Sequence, residues 1–268
     1  MAETYDESGS AGRRRGIDVH RFTPVQWTLL LTLYGRALDS RKPASVLRDV
    51  LADELVSKID YDFAQIKIRS LVWQIAARAK LLDDMVRRFL TVHPDAVVVD
   101  LGAGLDSRMY RLTPPSTVDW YDVDYPEVIE LRASLFPQRA QAHPIGSSVT
   151  EADWLNQLPA DRPTMIVADG LLAWFSEDET RSLLTRLTDY FPRGEIAFND
   201  YGRPGRLEAW VGRHYGPPML RSAVSASPYV GFDDRHLPER WNPRLRLAEE
   251  TSTMRAPEVA LLPPLMRA

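Results

Sequence analysis

The sequence predicts an α/β protein: a mostly parallel, Rossmann-like sheet with a helical region in front of it. Three observations predict this class. Apolar residues recur at helical spacing through the first third of the chain. From residue 96 onward, strand-like and helix-like runs alternate. The first of those strands, in AVVVDLGAGLDSRMYRL (96–112), runs into two glycines and a helix start. Alternating β and α units build a parallel sheet covered on both faces.

Residues 1–20 read as a disordered leader, with arginines 13–15 set among Gly, Ser and acidic residues and no apolar core of a signal peptide. From Pro24, PVQWTLLLTLYGRALDS carries apolar residues on nearly every face, as a helix buried on several sides requires. VLRDVLADELVSKI (46–59) follows as an amphipathic helix. Ile68, Leu71, Val72, Ile75, Ala79, Leu82, Val86 and Phe89 then mark one long helix ending near HPD at 93–95. Residues 21–93 therefore form a helical cap, and 94–268 a ligand-binding domain. Strands are expected at 96–101, 117–123, 164–169 and 194–199, with a weaker one near 141–145. Helices are expected at 126–135 and 177–191. Beyond Asn199 the pattern weakens. There, 244–252 and 258–263 read as late strands, and the chain after about 200 as a segment covering an acceptor.

Composition narrows the function. A chain of 268 residues, 44% hydrophobic and 26% charged, buries one large core. No apolar run approaches the roughly 18 residues that span a bilayer. A net charge of −4 without a clustered basic face argues against a nucleic-acid partner. The absence of cysteine removes disulfides, thiolate metal sites and a cysteine nucleophile, and points to the cytoplasm. The histidines at 20, 93, 143, 214 and 236 lack metal-ligand spacing. Asn199 and Asp200 have no second acidic cluster beside them, so no metal is expected.

Gly102 and Gly104 let the backbone turn tightly beyond the first strand, where ligands of a doubly wound sheet bind. A dinucleotide fingerprint would place a third glycine at 107, which is Ser. Asp124 ends the next strand-like run, twenty residues after Gly104, where a carboxylate accepts from a ribose diol. Asp122, on the same strand face, is its rival. Glycine turn plus carboxylate fits an adenosine-containing ligand. S-adenosylmethionine has a ribose but no phosphate and so tolerates Ser107; NAD is the competing reading.

VVVDLGAGLDSRMYRL, WYDVDYPEVIELR and IVADGLLAWFSEDETRSLLTRL together resemble the leucine carboxyl methyltransferase superfamily. Within it the chain is most similar to the tetracenomycin-type polyketide O-methyltransferases, over roughly residues 24–202. The resemblance implies a class I S-adenosylmethionine-dependent methyltransferase fold with an N-terminal helical cap. It implies that Gly102 lies under the methionine portion, that Asp124 holds the ribose, and that Arg78 and Arg36 meet the cofactor carboxylate. The chain departs from the family twice. Asp169 stands in ADGLL where AEGLL is common, one methylene shorter toward the methionine amino group. Ser148 and Val149 stand where the leucine carboxyl methyltransferases place an Asp-Leu pair against the adenine.

The implied reaction methylates a carboxylate or hydroxyl of a small, polyketide-like or aromatic acceptor. Positioning the nucleophile in line with the methyl carbon supplies much of such an acceleration, roughly 7–11 kcal/mol in the best-oriented cases. An ionised carboxylate needs no base, whereas a phenol does. His214, in VGRHYGPP, is the candidate base, and Trp174, Phe175, Tyr201, Trp210 and Tyr215 are candidates for the acceptor wall. Two other classes stand beside this one. A NAD-dependent oxidoreductase would need a Tyr-Lys or His-Asp pair at the strand ends. A non-catalytic binding module would hold cofactor without turnover.

Overall fold

The computed structural model describes residues 23–68, 71–201, 221–222, 228, 231–232, 234–255, 257 and 259. Three helices come first: α1 (Pro24–Ser40), α2 (Val50–Lys58) and α3 (Val72–Val92). Then β1 (Val97–Leu101), α4 (Arg108–Leu112), β2 (Asp119–Asp124), α5 (Pro126–Leu135) and β3 (Ala142–Gly146) alternate. β4 (Thr164–Ala168), α6 (Glu177–Tyr190), β5 (Gly194–Phe198) and the short α7 (Leu237–Trp241) follow, with 3-10 turns at Phe63–Gln65, Asp153–Gln157, Leu172–Trp174 and Thr253–Arg255. The five strands pair in the order β3-β2-β1-β4-β5, all parallel. β1 is central, with Val97 in register with Asp119 of β2 and Thr164 of β4.

The unbroken apolar run of β1 follows from this position, because a central parallel strand is buried on both faces. Val97, Val99 and Leu101 pack with Trp154, Leu183 and Leu187 on one side. Val98 faces the other side, with Trp120, Met165 and the α3 residues Leu82, Val86 and Phe89. The first half of α3 meets the other cap helices instead: Ile75 joins Leu30, Leu33, Leu55 and Phe63, and this cluster continues onto Val128 and Leu131 of α5. One 21-residue helix therefore belongs to the cap at its start and to the sheet at its end.

Helix ends follow local chemistry. Thr23 and Gln26 form a capping box on α1, and Ser176 and Glu179 another on α6. The helix expected over 46–59 begins only at Val50. Arg48 takes a left-handed φ of 58°, and the Asp49 carboxylate caps the new start by accepting from Ala52 N at 3.1 Å. The late strand expected at 244–252 is a correction. That stretch pairs with no strand, and side-chain links hold it instead: Arg244 to Asp189, Glu249 to Arg88, Glu250 to Arg235, and Leu247 N to Glu239. The alternation RLRLAEE gives a strand pattern without a strand edge beside it, and Leu247 is left 37% exposed. Residues 1–20, and 258–263 apart from Val259, lie outside the described residues.

A buried ionic web fastens the cap to the sheet. The side chain of Arg108 on α4 has 0% exposure and meets Asp83 of α3 at 2.8 Å, Asp100 of β1 at 3.0 Å, Asp169 beyond β4 at 3.0 Å and Asp106 at 3.3 Å. Arg111, one helical turn on, takes Asp83 and Asp49 at 2.9 Å and Asp106 at 2.5 Å. Asp49 accepts in addition from Arg36 Nε at 3.0 Å and from Ser107 Oγ at 2.5 Å. Removing one carboxylate leaves buried guanidinium N–H groups unpaired. Asp83→Ala is therefore expected to cost about 3–5 kcal/mol in a urea melt, against less for Asp83→Asn, which keeps an acceptor for Arg108 and Arg111.

Candidate functional site

The chain order reverses between β1 and β4, and a cleft opens outside the carboxyl ends of these strands, as doubly wound sheets require of a ligand site. Gly102 and Gly104 form its floor, with φ of +64° and +50°. A Cβ on Gly102 would stand 2.9 Å from Leu171 Cδ1, so a side chain there would both strain the turn and close the floor. Gly102 N donates to Val123 O at 2.8 Å, which ties the turn to β2. From the far side, Arg132 of α5 donates to Gly104 O and Asp106 O, each at 2.9 Å.

Ser107 has a structural answer. Its hydroxyl, fully buried, donates to Asp49 at the start of α2, so the position of a third glycine is used to seat the cap. Asp124 and Asp122 also separate. Asp122 is buried against Arg132 Nη2 at 2.5 Å and Trp120 Nε1 at 3.1 Å. Asp124, at the strand end, borders the cleft and accepts from Gly104 N and Tyr125 N, both at 2.7 Å. Burial pushes the Asp124 carboxyl above its usual range, against the pull of those two backbone donors.

The opposite wall is charged. Arg78 of α3 and Asp169 approach to 2.6 Å (Nε to Oδ1), yet neither atom has a hydrogen-bond partner, because the pair is close without being aligned. Burial works against the Arg78 charge, but Asp169 and then Tyr201 outweigh it and hold the pKa above the ordinary arginine value. The other oxygen of Asp169 accepts from Arg108 Nη2 at 3.0 Å. Gly170 follows at φ +78°, its N–H held by Asn199 Oδ1 at 2.5 Å, while Asn199 Nδ2 is buried without a partner.

A glycine floor that a Cβ would fill, a carboxylate at the end of β2, and a cation–anion pair with unused bonding capacity together fit S-adenosylmethionine. Asp124 matches the ribose, and the Arg78–Asp169 pair matches the zwitterionic amino-acid end. Arg36 also borders the cleft, but its guanidinium is committed to Asp49 and to Leu105 O, the latter at 2.7 Å. Ser148 and Val149 are not among the described residues lining the cleft. Ser148 Oγ is engaged with Thr150 Oγ1 at 2.7 Å, and the Val149 side chain packs into the core beside Trp154. Trp174 and Tyr201 border the cleft, whereas Phe175 is buried in the core. His93, His143 and His236 face Phe89, Asp119 and Glu239 respectively. His20, Trp210, His214 and Tyr215 lie outside the described residues.

Sequence reasoning missed Asp100, Asp106, Asp83 and Arg108 as one network, although an aspartate inside VVVDL signals a charge that needs a buried partner. Burial, the largest influence, lifts the Asp100 carboxyl to about 7 against the pull of Arg108. Asp106 is likewise buried, but Arg111, Arg108 and Arg36 hold its carboxyl well below the usual range.

A family model described as leucine carboxyl methyltransferase matches residues 30–188. The tetracenomycin polyketide synthesis O-methyltransferase TcmP of Streptomyces glaucescens is 41% identical over 241 residues, covering 90% of this chain and 87% of its own. The S-adenosyl-L-methionine-dependent methyltransferase dpfgK of Gibberella zeae is 31% identical over 235 residues, covering 80% and 78%. A putative methyltransferase from Thermobifida fusca superposes over 72% of this chain and 71% of its own, at TM-score 0.44 and 17% identity. The class I assignment rests on the sheet order and on the family match.

Two outcomes are expected. Asp124→Ala should weaken binding of S-adenosylhomocysteine by about 1.5–3 kcal/mol in calorimetry, since charge-assisted bonds and the hold on Gly104 are lost together. Unchanged affinity would remove Asp124 from the site. For Asp100, the folded pKa of about 7 exceeds the unfolded one, so folding takes up a proton between about pH 4 and 7. Its contribution is fully present below about pH 4 and is lost as pH rises through 7. Asp100→Asn should therefore flatten the fall in thermal midpoint of the ligand-free protein between pH 5 and 8; a slope as steep as in the parent would refute this.

Proposed function

The chain belongs to the leucine carboxyl methyltransferase family and is an S-adenosylmethionine-dependent methyltransferase, and from that premise we propose that it methylates an oxygen of a small polyketide-like or aromatic acceptor. The observation that carries the acceptor class is the 41% identity to a polyketide O-methyltransferase along 90% of the chain. When bound, S-adenosylmethionine supplies an electrophilic methyl group on a sulfonium. The chain's own residues bind and orient. Asp124 accepts from the ribose hydroxyls, Arg78 donates to the carboxylate, and Asp169 accepts from the ammonium group. Gly102 lets the backbone approach the methionine portion. Arg36 serves the site indirectly, by holding Asp49 and the glycine loop rather than by meeting the carboxylate, and Ser148 and Val149, expected against the adenine, stand outside the described lining of the cleft.

Transfer from a sulfonium needs neither a covalent intermediate nor a Lewis acid, so the main work left to the protein is alignment. A carboxylate acceptor is favoured over a hydroxyl. The matched family model is described by carboxyl methylation, and an ionised carboxylate requires no base.

The test is a panel of aromatic carboxylic acids and phenols with labelled cofactor, followed by single-turnover rates against pH. A carboxylate acceptor should give a rate flat above about pH 6, because an ordinary carboxyl group is already ionised there. A steep rise from pH 6 to 9 that His214→Ala abolishes would replace the carboxylate reading with a phenol and make His214 its base.

A further inference from the structure

We propose that Tyr201 is a positioning residue for the cofactor: its hydroxyl steers the Arg78 guanidinium onto the carboxylate of the cofactor's methionine end. The inference rests on Arg78 as the partner of that carboxylate. Tyr201 lies just beyond β5, on a different element and 123 positions along the chain from Arg78 of α3. Its phenol oxygen nevertheless accepts from Arg78 Nη1 at 2.5 Å. The Arg78 guanidinium carbon is also 5.7 Å from the centroid of the Tyr201 ring, so hydroxyl and ring both bear on the same cation.

Tyr201 borders the cleft rather than the core. Tyr201 is 53% exposed, among the few large apolar side chains left at the surface, and it belongs to none of the buried clusters around the sheet. It reaches a guanidinium in the cleft that Asp169 faces at close range. Asp169 faces Arg78 Nε at 2.6 Å off the line of the N–H, so that contact holds the charge and leaves the plane of the fork only loosely set. The bond to Tyr201 supplies the direction. A guanidinium is planar, and fixing one N–H fixes the plane of the whole fork.

The backbone turn after β4 lies close against the same pair. A Cβ on Gly170 would lie 3.5 Å from the Tyr201 hydroxyl and 3.6 Å from Arg78 Nη2, so the bare turn passes directly under the pair. Asn199, two residues before Tyr201, holds the Gly170 N–H. The end of β5 thus grips the site twice, once through the turn that carries Asp169 and once through the cation.

The test compares two ligands on Tyr201→Phe, a change that keeps the ring and removes the hydroxyl. S-adenosylhomocysteine carries the amino-acid end, and 5′-methylthioadenosine carries the same adenosine and thioether without it. Calorimetry should show S-adenosylhomocysteine weakened about tenfold and methylthioadenosine unchanged, with the thermal midpoint of the ligand-free protein unmoved. In an Arg78→Lys background, where the planar fork is gone, the same change should have no further effect. An unchanged or tighter S-adenosylhomocysteine affinity would overturn the proposal, as would an equal loss for both ligands. Equal binding of the two ligands by the unaltered enzyme would overturn it differently, by removing Arg78 from the carboxylate.

Discussion

The seating of the cap, the glycine loop and Asp169 depends on one buried cation. Arg108 is enclosed completely and faces four carboxylates contributed by α3, β1, the glycine loop and the end of β4. A charge taken out of water is tolerated only when partners replace the lost solvation, and each of these partners is fixed by a different part of the chain. Satisfying Arg108 therefore locks the cap, the floor of the cleft and Asp169 into one relative arrangement. Arg111 repeats the logic at the edge of the same cluster, reaching Asp49 and so the start of α2. Such a web is weak as a source of net stability. Its consequence is registry: the cap cannot slide over the sheet without stranding a buried guanidinium.

The same web hands charge to the cleft. One oxygen of Asp169 is spent on Arg108, and the other lies against Arg78 without a directed bond. An aligned Arg78–Asp169 salt bridge would have to be broken to admit a ligand. A close but misaligned one keeps both charges in place with hydrogen-bonding capacity still unspent, which is a form of preorganisation. A zwitterion with its cationic and anionic ends reversed relative to the pair satisfies both atoms together. The ribose end is arranged differently, by a single carboxylate held between two backbone N–H groups.

Much of this was legible in the sequence, and what was not has identifiable causes. The strands were readable because β1 and β4 are buried on both faces and so consist of unbroken apolar runs. Asp124 was readable as the residue that ends the second strand-like run, whereas alternation alone left Asp122 on the same face as its rival. Ser107 was readable only as a missing glycine: its partner Asp49 is 58 positions away, and nothing local announces the bond. Arg108 and Arg111 look like surface charges, three apart on a short helix, until five elements converge on them. The stretch 244–252 has the alternation of a strand, but a strand also needs a neighbour with matching donors and acceptors. Alternation alone does not supply one. Arg48 shows the reverse case, where one residue in a left-handed conformation moves a helix start by four positions and frees Asp49 to become both a cap and an ion-pair partner.

The shorter acid at 169 is best understood through the two arginines rather than through its own reach. A glutamate could extend toward a ligand while its backbone stayed back. An aspartate at the same position cannot, so its carboxylate sits close over the turn that bears it, and the surrounding groups must come to it. They do: Arg108 arrives from α4 below, Arg78 from α3 at the side, and Gly170 and Asn199 hold the turn in its left-handed bend. The length missing from one side chain is thereby made up by two long ones anchored on helices of the cap and the sheet. This explains why the cap web and the cofactor wall share a residue. Asp169 is the point at which the constraint that seats the cap becomes the constraint that places the ligand.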